Sequence, residues 1–328
     1  MNGPEAADTI GVTDPGSRPV VFIHSNPAQS IAATVAAYAL TARSRRPEAF
    51  EVRVLRLAET PHLHRREGQR FISRGERRTW HNRDAQSHSP LRMMVPQRMG
   101  FRGRALVLDP DVFAVGDVIE LLEREMGGRA ILCRTRRTGP AGAVTRYASS
   151  VMLLDCRQLT HWRWDQQIDD VFGCRLDLFA WMTLQTESPD AIGALEDEWN
   201  HFDTLDSRTK LLHNTERLTQ PWKTGLPIDF DLNRRRSGPP ARRAGLARVR
   251  QWAARLLPLP ARPLVYRPHP DPRQERYFFH LLRECLDRCV IDEAAVREEI
   301  RRGHLRPDAF RLLDTHAASA AVLDELRT

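Results

Sequence analysis

Long apolar runs are missing from this 328-residue sequence, and no stretch approaches the ~20 uninterrupted apolar residues that a membrane-spanning helix needs. The first 18 residues also lack the apolar segment of a secretory signal. We therefore expect a disordered leader over residues 1–18 and a cytoplasmic protein. The five cysteines are widely spread, odd in number and without a C-x-x-C pair. This pattern argues against a disulfide framework and against a zinc ribbon.

Glycine-rich nucleotide motifs are absent as well. The sequence has no G-x-G-x-x-G and no G-x-x-x-x-G-K-[ST], which excludes a dinucleotide fingerprint and a P-loop. Acidic residues are missing from one segment, since residues 234–262 contain nine arginines and no Asp or Glu, against a net charge of +8 for the whole chain. The remainder is therefore close to neutral, and the fold itself is not a polyanion-binding surface.

Alternating strand and helix patterns run through residues 19–232. The apolar run PVVFIH at 19–24 predicts a buried strand, and residues 28–43 carry apolar side chains at helical spacing. A second strand is expected at 51–57, so the opening unit should be parallel and right-handed. Further elements are expected at 104–108, 129–133 and 149–154 (strands) and at 117–125 (helix). We therefore predict an α/β domain with a mixed, mainly parallel sheet.

The composition changes after residue 232. Residues 233–262 are predicted to be a basic linker that contains an amphipathic helix at about 241–257. A Pro-rich turn, RPHPDP, leads into at least two helices, at 280–289 and 293–302, so residues 263–328 are expected to form a small helical appendage. Residues 58–90 are polar, rich in His and Arg and weakly periodic, and we expect a mobile surface loop or lid there.

Two acids, Asp109 and Asp111, follow the apolar strand RALVL. Carboxylates at i and i+2 point the same way when the backbone is extended, and open α/β sheets bind ligands just beyond their strand ends. Such a pair repels unless a cation lies between the two groups, and a hard divalent ion that bridges to a diphosphate is the natural occupant. Most isolated Asp-x-Asp triplets are solvated turns, so the interpretation needs support from elsewhere in the chain.

Two other polar segments are candidates to complete the site. His213, in KLLHNTERLTQPW, follows two apolar residues, and an imidazole beside carboxylates suits Mn²⁺. A hydrogen-bonded structural histidine is the alternative. Ser25 and Asn26 lie between the first strand and the first helix. They are expected either to line a pocket for a ribose, base or phosphate or simply to cap the helix.

Taken in order, these segments resemble the family-eight glycosyltransferases and their bacterial relatives, which have the GT-A fold. The resemblance runs from about Val20 to Pro227. It rests on FIHSNPAQSIAATVAAYAL, PLRMMVPQRMGFRGRALVLDPDVFAVGDVIELL, SSVMLLDC, EDEWNHFDTL and KLLHNTERLTQPW. The ordered set is far more specific than any member. It implies a Rossmann-like GT-A fold, a UDP-sugar donor, Mn²⁺ or Mg²⁺, and transfer with retention at the anomeric carbon.

The resemblance also implies roles for individual residues. Asp109, Asp111 and His213 match the metal ligands, which hold the diphosphate of the donor through the ion. Ser25 and Asn26 fall where the family contacts the uridine. These five residues therefore define the predicted metal and donor site.

Three more residues extend the predicted site. Arg92 matches the arginine that lies near the sugar or the phosphate. The family places Lys-Pro-Trp after the late histidine, whereas this chain has Gln-Pro-Trp-Lys at 220–223. Either Lys223 neutralises the diphosphate from the other side of the tryptophan, or that contact is absent. Asp177 is the candidate for the acid near the reacting sugar, and a solvated or helix-capping acid is the alternative.

The resemblance predicts an enzyme, a glycosyltransferase of the hexosyltransferase type, with an unidentified glycan, lipid-linked or protein acceptor. Two rival functions remain. One is a GT-A-like domain that binds a nucleotide or sugar without turnover, and the other is a basic scaffold or RNA-binding protein that uses residues 234–328. The segment 234–262 is interpreted as a solvated linker, as a helix on anionic lipid at the inner face of a membrane, or, last, as a nucleic-acid site. Nucleic acid ranks last because interleaved aromatic residues and a known binding module are missing.

Overall fold

The computed structural model describes residues 18–138, 144–216, 218–230 and 264–316. In chain order, the strands of these residues are β1 Val20–Ser25, β2 Glu51–Arg56, β3 Arg70–Ser73, β4 Glu76–Thr79, β5 Arg104–Leu108, β6 Val112–Ala114, β7 Ile131–Thr138, β8 Val144–Asp155, β9 Ile192–Leu195, β10 His201–Phe202 and β11 Leu211–His213. The α-helices are α1 Ser30–Ala42, α2 Pro61–His64, α3 Val95–Arg98, α4 Ile119–Leu122, α5 Trp164–Phe172, α6 Leu178–Met182, α7 Pro272–Asp287, α8 Glu293–Arg301 and α9 Ala309–His316.

The central sheet has six strands in the order β2-β1-β5-β8-β7-β9. β1 runs parallel to both β2 and β5, and β7 runs parallel to β9, whereas β8 is antiparallel to its two neighbours. The predicted α/β class with a mixed, mainly parallel sheet is confirmed by this order. The predicted strand–helix–strand opening is also confirmed, because α1 connects the parallel pair β1 and β2.

The core lies in two apolar layers, one on each face of this sheet. Successive side chains of β1 alternate between them, with Val21 and Ile23 in the layer that includes α1, and Val20 and Phe22 in the layer that includes α5 and α6. Because both faces are covered, β1 is buried at every position. This explains why its sequence is a continuous apolar run and not an alternating one.

The predicted C-terminal helices are present as α7, α8 and α9. They pack into the same apolar layer as α1, with Tyr277, Phe278 and Leu281 of α7 fully buried there. The helices are therefore continuous with the core of the α/β domain. The predicted basic linker, 233–262, and its amphipathic helix lie within residues 231–263, which are outside the described residues, as are most of the predicted leader and residues 317–328.

Residues 58–90 contain more regular structure than the sequence indicates. Their centre is a two-stranded antiparallel hairpin, β3–β4, whose turn places Arg74 and Gly75 at φ 59° and 74°. Phe71 and Trp80 are buried against Phe172 of α5. The expectation of a weakly structured loop was wrong here, because two buried aromatic rings anchor the segment to the sheet layer.

Helix boundaries differ from the predicted ones by a few residues. The helix expected at 117–125 is reduced to α4. Asp117 precedes α4, and its side chain accepts a hydrogen bond from the backbone N–H of Ile119, the first residue of the helix.

None of the helices in the described part of the chain is long and apolar enough to cross a lipid bilayer.

Candidate active site

A cavity of 510 Å³ opens at the carboxyl ends of β1 and β5, where parallel sheets place their ligands. Its walls come from α6, from the β3–β4 hairpin, from the loop before α3, and from the segment that follows β11. The lining residues are Gln29, Ser73, Arg74, Arg78, Ala85, Gln86, His88, Ser89, Pro90, Arg92, Asp109, Pro110, Asp111, Ser149, Leu178, Phe179, Met182, Thr183, His213, Thr215, Gln220, Phe230 and Tyr266. A cavity of this size is in the range of small-molecule sites.

Asp109 directly follows β5 and lines the cavity. Its carboxylate is held through one of its two oxygens. Oδ1 lies 2.9 Å from Nε2 of His24 and 2.7 Å from Nη2 of Arg92. Burial by itself would raise the pKa of Asp109, but the Arg92 guanidinium and the His24 imidazole outweigh it and hold the pKa below its usual range. Asp109 is therefore an oriented carboxylate, and Oδ2 accepts no hydrogen bond from any described residue.

Asp111 is also held through one of its two carboxylate oxygens. Oδ2 accepts a 3.0 Å hydrogen bond from Nε2 of Gln220, while Oδ1 is buried and has no hydrogen-bond partner. The nearest imidazole nitrogen, Nε2 of His213, lies 3.3 Å from that oxygen. An unpartnered buried carboxylate oxygen is costly, so a cation at this point would stabilise the arrangement.

His213 comes to the cavity from β11, which pairs with β6 beside Asp111. Nδ1 of the ring lies 2.8 Å from Oδ1 of Asn200, an acceptor, so we place the ring proton on Nδ1. Nε2 then carries its lone pair toward Asp111. Burial by itself would lower the pKa of His213, but the Asp111 carboxylate raises it. Either a proton or a metal ion between the two groups relieves their repulsion.

The three residues fit a divalent cation. One ligand atom from each of Asp109, Asp111 and His213 can be chosen so that all lie within 4.8 Å of one another. Each of these side chains is held by a neighbour through one atom and offers another, which is how oriented metal ligands are arranged. Two carboxylates and one imidazole suit Mn²⁺ better than Mg²⁺, which prefers oxygen ligands alone.

Behind Asp109 lies a pair of buried histidines that sequence reasoning missed. Nδ1 of His24 is 2.7 Å from Nδ1 of His88, and the two rings are stacked. Burial lowers the pKa of both imidazoles, and the neighbouring His24 lowers that of His88 further. His24 is the next-to-last residue of β1, and His88 follows it 64 positions later in the chain. No short stretch of sequence contains both histidines, so their contact could not be predicted from a local pattern.

Arg92 lines the cavity beside Asp109. Its Nη1 donates a 2.7 Å hydrogen bond to Oγ of Ser149, whose hydroxyl in turn donates to the carbonyl oxygen of Met182 at 2.5 Å. Together with the contact to Asp109, these bonds fix the guanidinium at the floor of the cavity. Arg92 therefore both positions a predicted metal ligand and places a fixed positive charge next to it.

Lys223 is held inside the protein. The side chain is completely buried, and its Nζ forms an ion pair with Asp229, whose Oδ1 also accepts a 2.5 Å hydrogen bond from the hydroxyl of Tyr266. Burial lowers the pKa of Lys223, and Asp229 opposes that shift. The structure therefore presents Lys223 as half of an internal ion pair beneath the Tyr266 ring, and Lys223 is absent from the described cavity lining.

Ser25 and Asn26 are buried and do not appear in the described lining of the main cavity. The amide of Asn26 donates 2.9 Å hydrogen bonds to the carbonyl oxygen of Asp84 and to Oγ of Ser87, and it makes no side-chain cap to the following helix. Its other face lines a second cavity of 260 Å³. From this part of the chain, Gln29 is the residue that reaches the main cavity.

Asp177 caps α6. Its Oδ1 accepts hydrogen bonds from the backbone N–H groups of Phe179 and Ala180, at 2.8 and 3.0 Å. Its Oδ2 accepts one from Gly75 in the turn of the hairpin, at 2.8 Å. The helix-capping alternative describes this geometry, and the described cavity lining does not include Asp177.

Solved structures similar to this chain include the glycosyltransferase GlyE of Streptococcus pneumoniae, at 17% identity over 63% of this chain and 57% of GlyE, with a TM-score of 0.41. The galactosyltransferase LgtC, in complex with donor and acceptor sugar analogues, matches at 13% identity over 62% of this chain and 89% of LgtC, with a TM-score of 0.43. Mouse xyloside xylosyltransferase 1 matches at 17% identity over 61% of this chain and 98% of its own length, with a TM-score of 0.39.

All three are glycosyltransferases by name, which is the class that the ordered sequence motifs predict. No protein-family model and no curated protein sequence matches the chain.

Proposed function

We propose that the protein is a metal-dependent glycosyltransferase that moves a sugar from a UDP-sugar donor to a glycan, lipid-linked or protein acceptor, with retention at the anomeric carbon. One observation carries the proposal. Asp109, Asp111 and His213 each offer one atom to the same point of the cavity, and the buried Oδ1 of Asp111 has no other partner there. That arrangement supports a divalent cation, and the ordered motifs of the sequence support the reaction.

The residues of this chain have separable tasks in such a reaction. Asp109, Asp111 and His213 would hold Mn²⁺ or Mg²⁺, and the bound ion supplies charge neutralisation for the leaving diphosphate. Gln220 and Asn200 keep Asp111 and His213 aligned through the atoms that do not face the ion. These donors and acceptors are in place before substrate arrives, so no reorganisation is needed at the moment of reaction.

Arg92 adds to this preorganised charge. Its guanidinium lies against Asp109 and is nine-tenths buried, so its field acts in a poorly screened environment. It is also fixed by Ser149, which prevents it from folding away when the cavity is open. We assign to Arg92 the stabilisation of negative charge on the departing nucleotide or on the sugar next to it.

The experiment that tests the proposal is calorimetric titration of UDP in the presence and absence of MnCl₂. We expect the affinity of the wild-type protein for UDP to rise when Mn²⁺ is added, and we expect Asp111→Asn to abolish the rise. An exposed acid away from the cavity, Asp190, provides the matched control Asp190→Asn. Metal-independent binding of UDP, or no binding in either condition, would rule the proposal out.

Binding without turnover is the second candidate, and the position of Lys223 favours it. The lysine is tied to Asp229, so Lys223 is not a mobile cation at the place where the family has one. Slow hydrolysis of UDP-sugars separates the two candidates, since an active transferase is expected to release free sugar over hours in the absence of acceptor. Mn²⁺-dependent UDP binding without any hydrolysis or transfer would identify an inactive binding protein.

The cytoplasmic location, the membrane contact through residues 234–262 and the RNA-binding rival that uses residues 234–328 stay predictions.

A further inference from the structure

His88 and Arg92 approach the carboxylate of Asp109 from one short segment. His88 directly precedes a 3₁₀ helix, Ser89–Met94, and Arg92 belongs to that helix. Arg92 contacts Oδ1 of Asp109 directly, at 2.7 Å, whereas His88 reaches the same oxygen only through His24. The effect of His88 on the first predicted metal ligand therefore depends on the imidazole ring between them.

Both ends of the contact between His24 and His88 are fixed by their surroundings. His24 belongs to β1 in the central sheet and is completely buried, and His88 is buried as well. The helix after His88 is anchored by Trp164, whose Nε1 donates a 2.9 Å hydrogen bond to the carbonyl oxygen of Pro90. The two imidazole rings are stacked, with their centroids 4.9 Å apart. Their nitrogens therefore meet in a defined geometry and away from water.

The contact between the two rings contains one proton. Nδ1 of His24 and Nδ1 of His88 are 2.7 Å apart, a distance at which one nitrogen donates and the other accepts. Nε2 of His24 lies 2.9 Å from Oδ1 of Asp109, and a carboxylate only accepts, so this nitrogen carries a proton. Burial is the main cause that lowers the pKa of both imidazoles, which favours their neutral forms. A neutral His24 with its proton on Nε2 has a lone pair on Nδ1, so His88 is the donor between the rings.

We propose that His88 is a positioning residue of the metal site: its Nδ1–H commits Nε2–H of His24 to Oδ1 of Asp109, which leaves Oδ2 of Asp109 for the cation. Which nitrogen of an imidazole carries the proton is set by the partner of the other nitrogen. Without the donor at position 88, Nδ1 of His24 is buried and unpartnered, and the ring is free to turn or to exchange tautomers. The inference rests on the proposed function, because it takes Asp109 as a metal ligand.

Metal affinity tests this role, measured by calorimetric titration of MnCl₂ into the metal-free protein. His88→Leu removes the donor, whereas His88→Asn keeps it, because the amide nitrogen of asparagine is bonded to Cγ just as Nδ1 of histidine is. We expect His88→Leu to weaken Mn²⁺ binding at least about tenfold and His88→Asn to restore it to within about threefold of the wild type. The control is His161→Leu, at a 55% exposed histidine outside the described cavity lining, which should change the affinity by less than about twofold.

The position of the proton on His24 is a second readout, and it does not depend on a bound metal. The ¹⁵N spectrum of the histidine side chains distinguishes a protonated ring nitrogen from an unprotonated one, and the signals of His24 are those that disappear in His24→Gln. We expect a proton on Nε2 and none on Nδ1 in the metal-free wild type and in His88→Asn. In His88→Leu we expect the two tautomers of His24 to mix.

A proton on Nδ1 of His24 in the wild type would overturn the proposal, and so would an unchanged Mn²⁺ affinity in His88→Leu. Equal losses of affinity in His88→Leu and His88→Asn would show that the ring acts by packing alone, which also overturns it. If the wild type binds no Mn²⁺, the proposed function fails, while the proton on His24 still tests the donation from His88. If His88→Leu does not fold, the wild-type spectrum and the affinity of His88→Asn decide.

Discussion

Oδ1 of Asp111 and Nε2 of His213 face each other at 3.3 Å. Each group is held from behind, Asp111 by Gln220 and His213 by Asn200, so neither can turn away. In the metal-free protein a proton on His213 relieves the repulsion between them, because the Asp111 carboxylate raises the pKa of the imidazole. A cation that enters replaces that proton, and binding energy and folding stability are therefore linked at this point.

The first prediction concerns that linkage. Mn²⁺ at 100 times its dissociation constant should stabilise the wild type by about 2.7 kcal/mol, which a thermal melt detects as a rise in Tm. Asp111→Asn should lose most of the rise because the variant lacks one charged ligand, while its metal-free Tm stays near that of the wild type. EDTA should return the wild type to its metal-free Tm. A full Mn²⁺ effect in Asp111→Asn would contradict the ligand assignment.

A second prediction concerns the buried ion pair of Lys223 and Asp229. Lys223→Met should lower the free energy of unfolding by about 3 kcal/mol, at the lower end of the range for broken buried pairs, because Asp229 is 28% exposed. Urea denaturation measures the loss. The double variant Lys223→Met/Asp229→Leu should recover part of it, since no unpaired charge is left behind. Wild-type stability in Lys223→Met would show that the pair has no structural role.

The third prediction concerns Asp177. Asp177→Ala should destabilise the protein by about 2 kcal/mol, since it removes a helix cap and the hydrogen bond from Gly75. Asp177→Asn is the matched variant: one amide oxygen can still cap α6, but the amide nitrogen cannot accept from Gly75, so about half of the loss is expected. Equal destabilisation by both variants would show that the hydrogen bond from Gly75, and not the cap, accounts for the loss.

A pH effect is expected from His269, which lies 3.7 Å from Asp203. Burial by itself would lower the pKa of His269, but Asp203 outweighs it and raises the pKa. A raised pKa in the folded state gives a stabilisation that is complete below the unfolded value of ~6.5 and is lost as the pH rises through the folded value. His269→Gln should therefore lower Tm more at pH 5.5 than at pH 8.5. An equal or reversed difference would exclude a charged His269.

Much of the fold was predictable because its signals are local. β1 and β5 are apolar runs with clear ends, and the acids beyond β5 could be placed at the edge of the sheet without knowing any contact. His213 was predicted for the same reason, as a polar residue after two apolar ones. The structure brings it next to Asp111 across 102 residues of sequence, and the bound metal stays a prediction.

The features that were missed depend on side-chain contacts that no short stretch of sequence indicates. The hairpin was missed because its strands are rich in arginine and its turn is Arg-Gly, whereas its stability comes from Phe71 and Trp80 packing on a distant helix. Lys223 was a candidate for the diphosphate on a family pattern alone, with an absent contact as the alternative, and its pairing with Asp229, six residues away, is not indicated by the composition. Gln220 was noted only as a departure from a family pattern, yet it orients Asp111.

The docking of α7 on the segment around Trp222 has a consequence for synthesis. Phe278 stacks on Trp222, the side chain of Asn214 donates to Gln274, and the backbone N–H of Arg306 donates to the carbonyl oxygen of Trp222. His213 and Gln220 lie on that same segment. A nascent chain that has not yet emerged through residue 306 therefore has every predicted ligand but lacks the elements that hold two of them in place. The predicted site should therefore be completed late in folding and in one step, once the residues through 306 can dock.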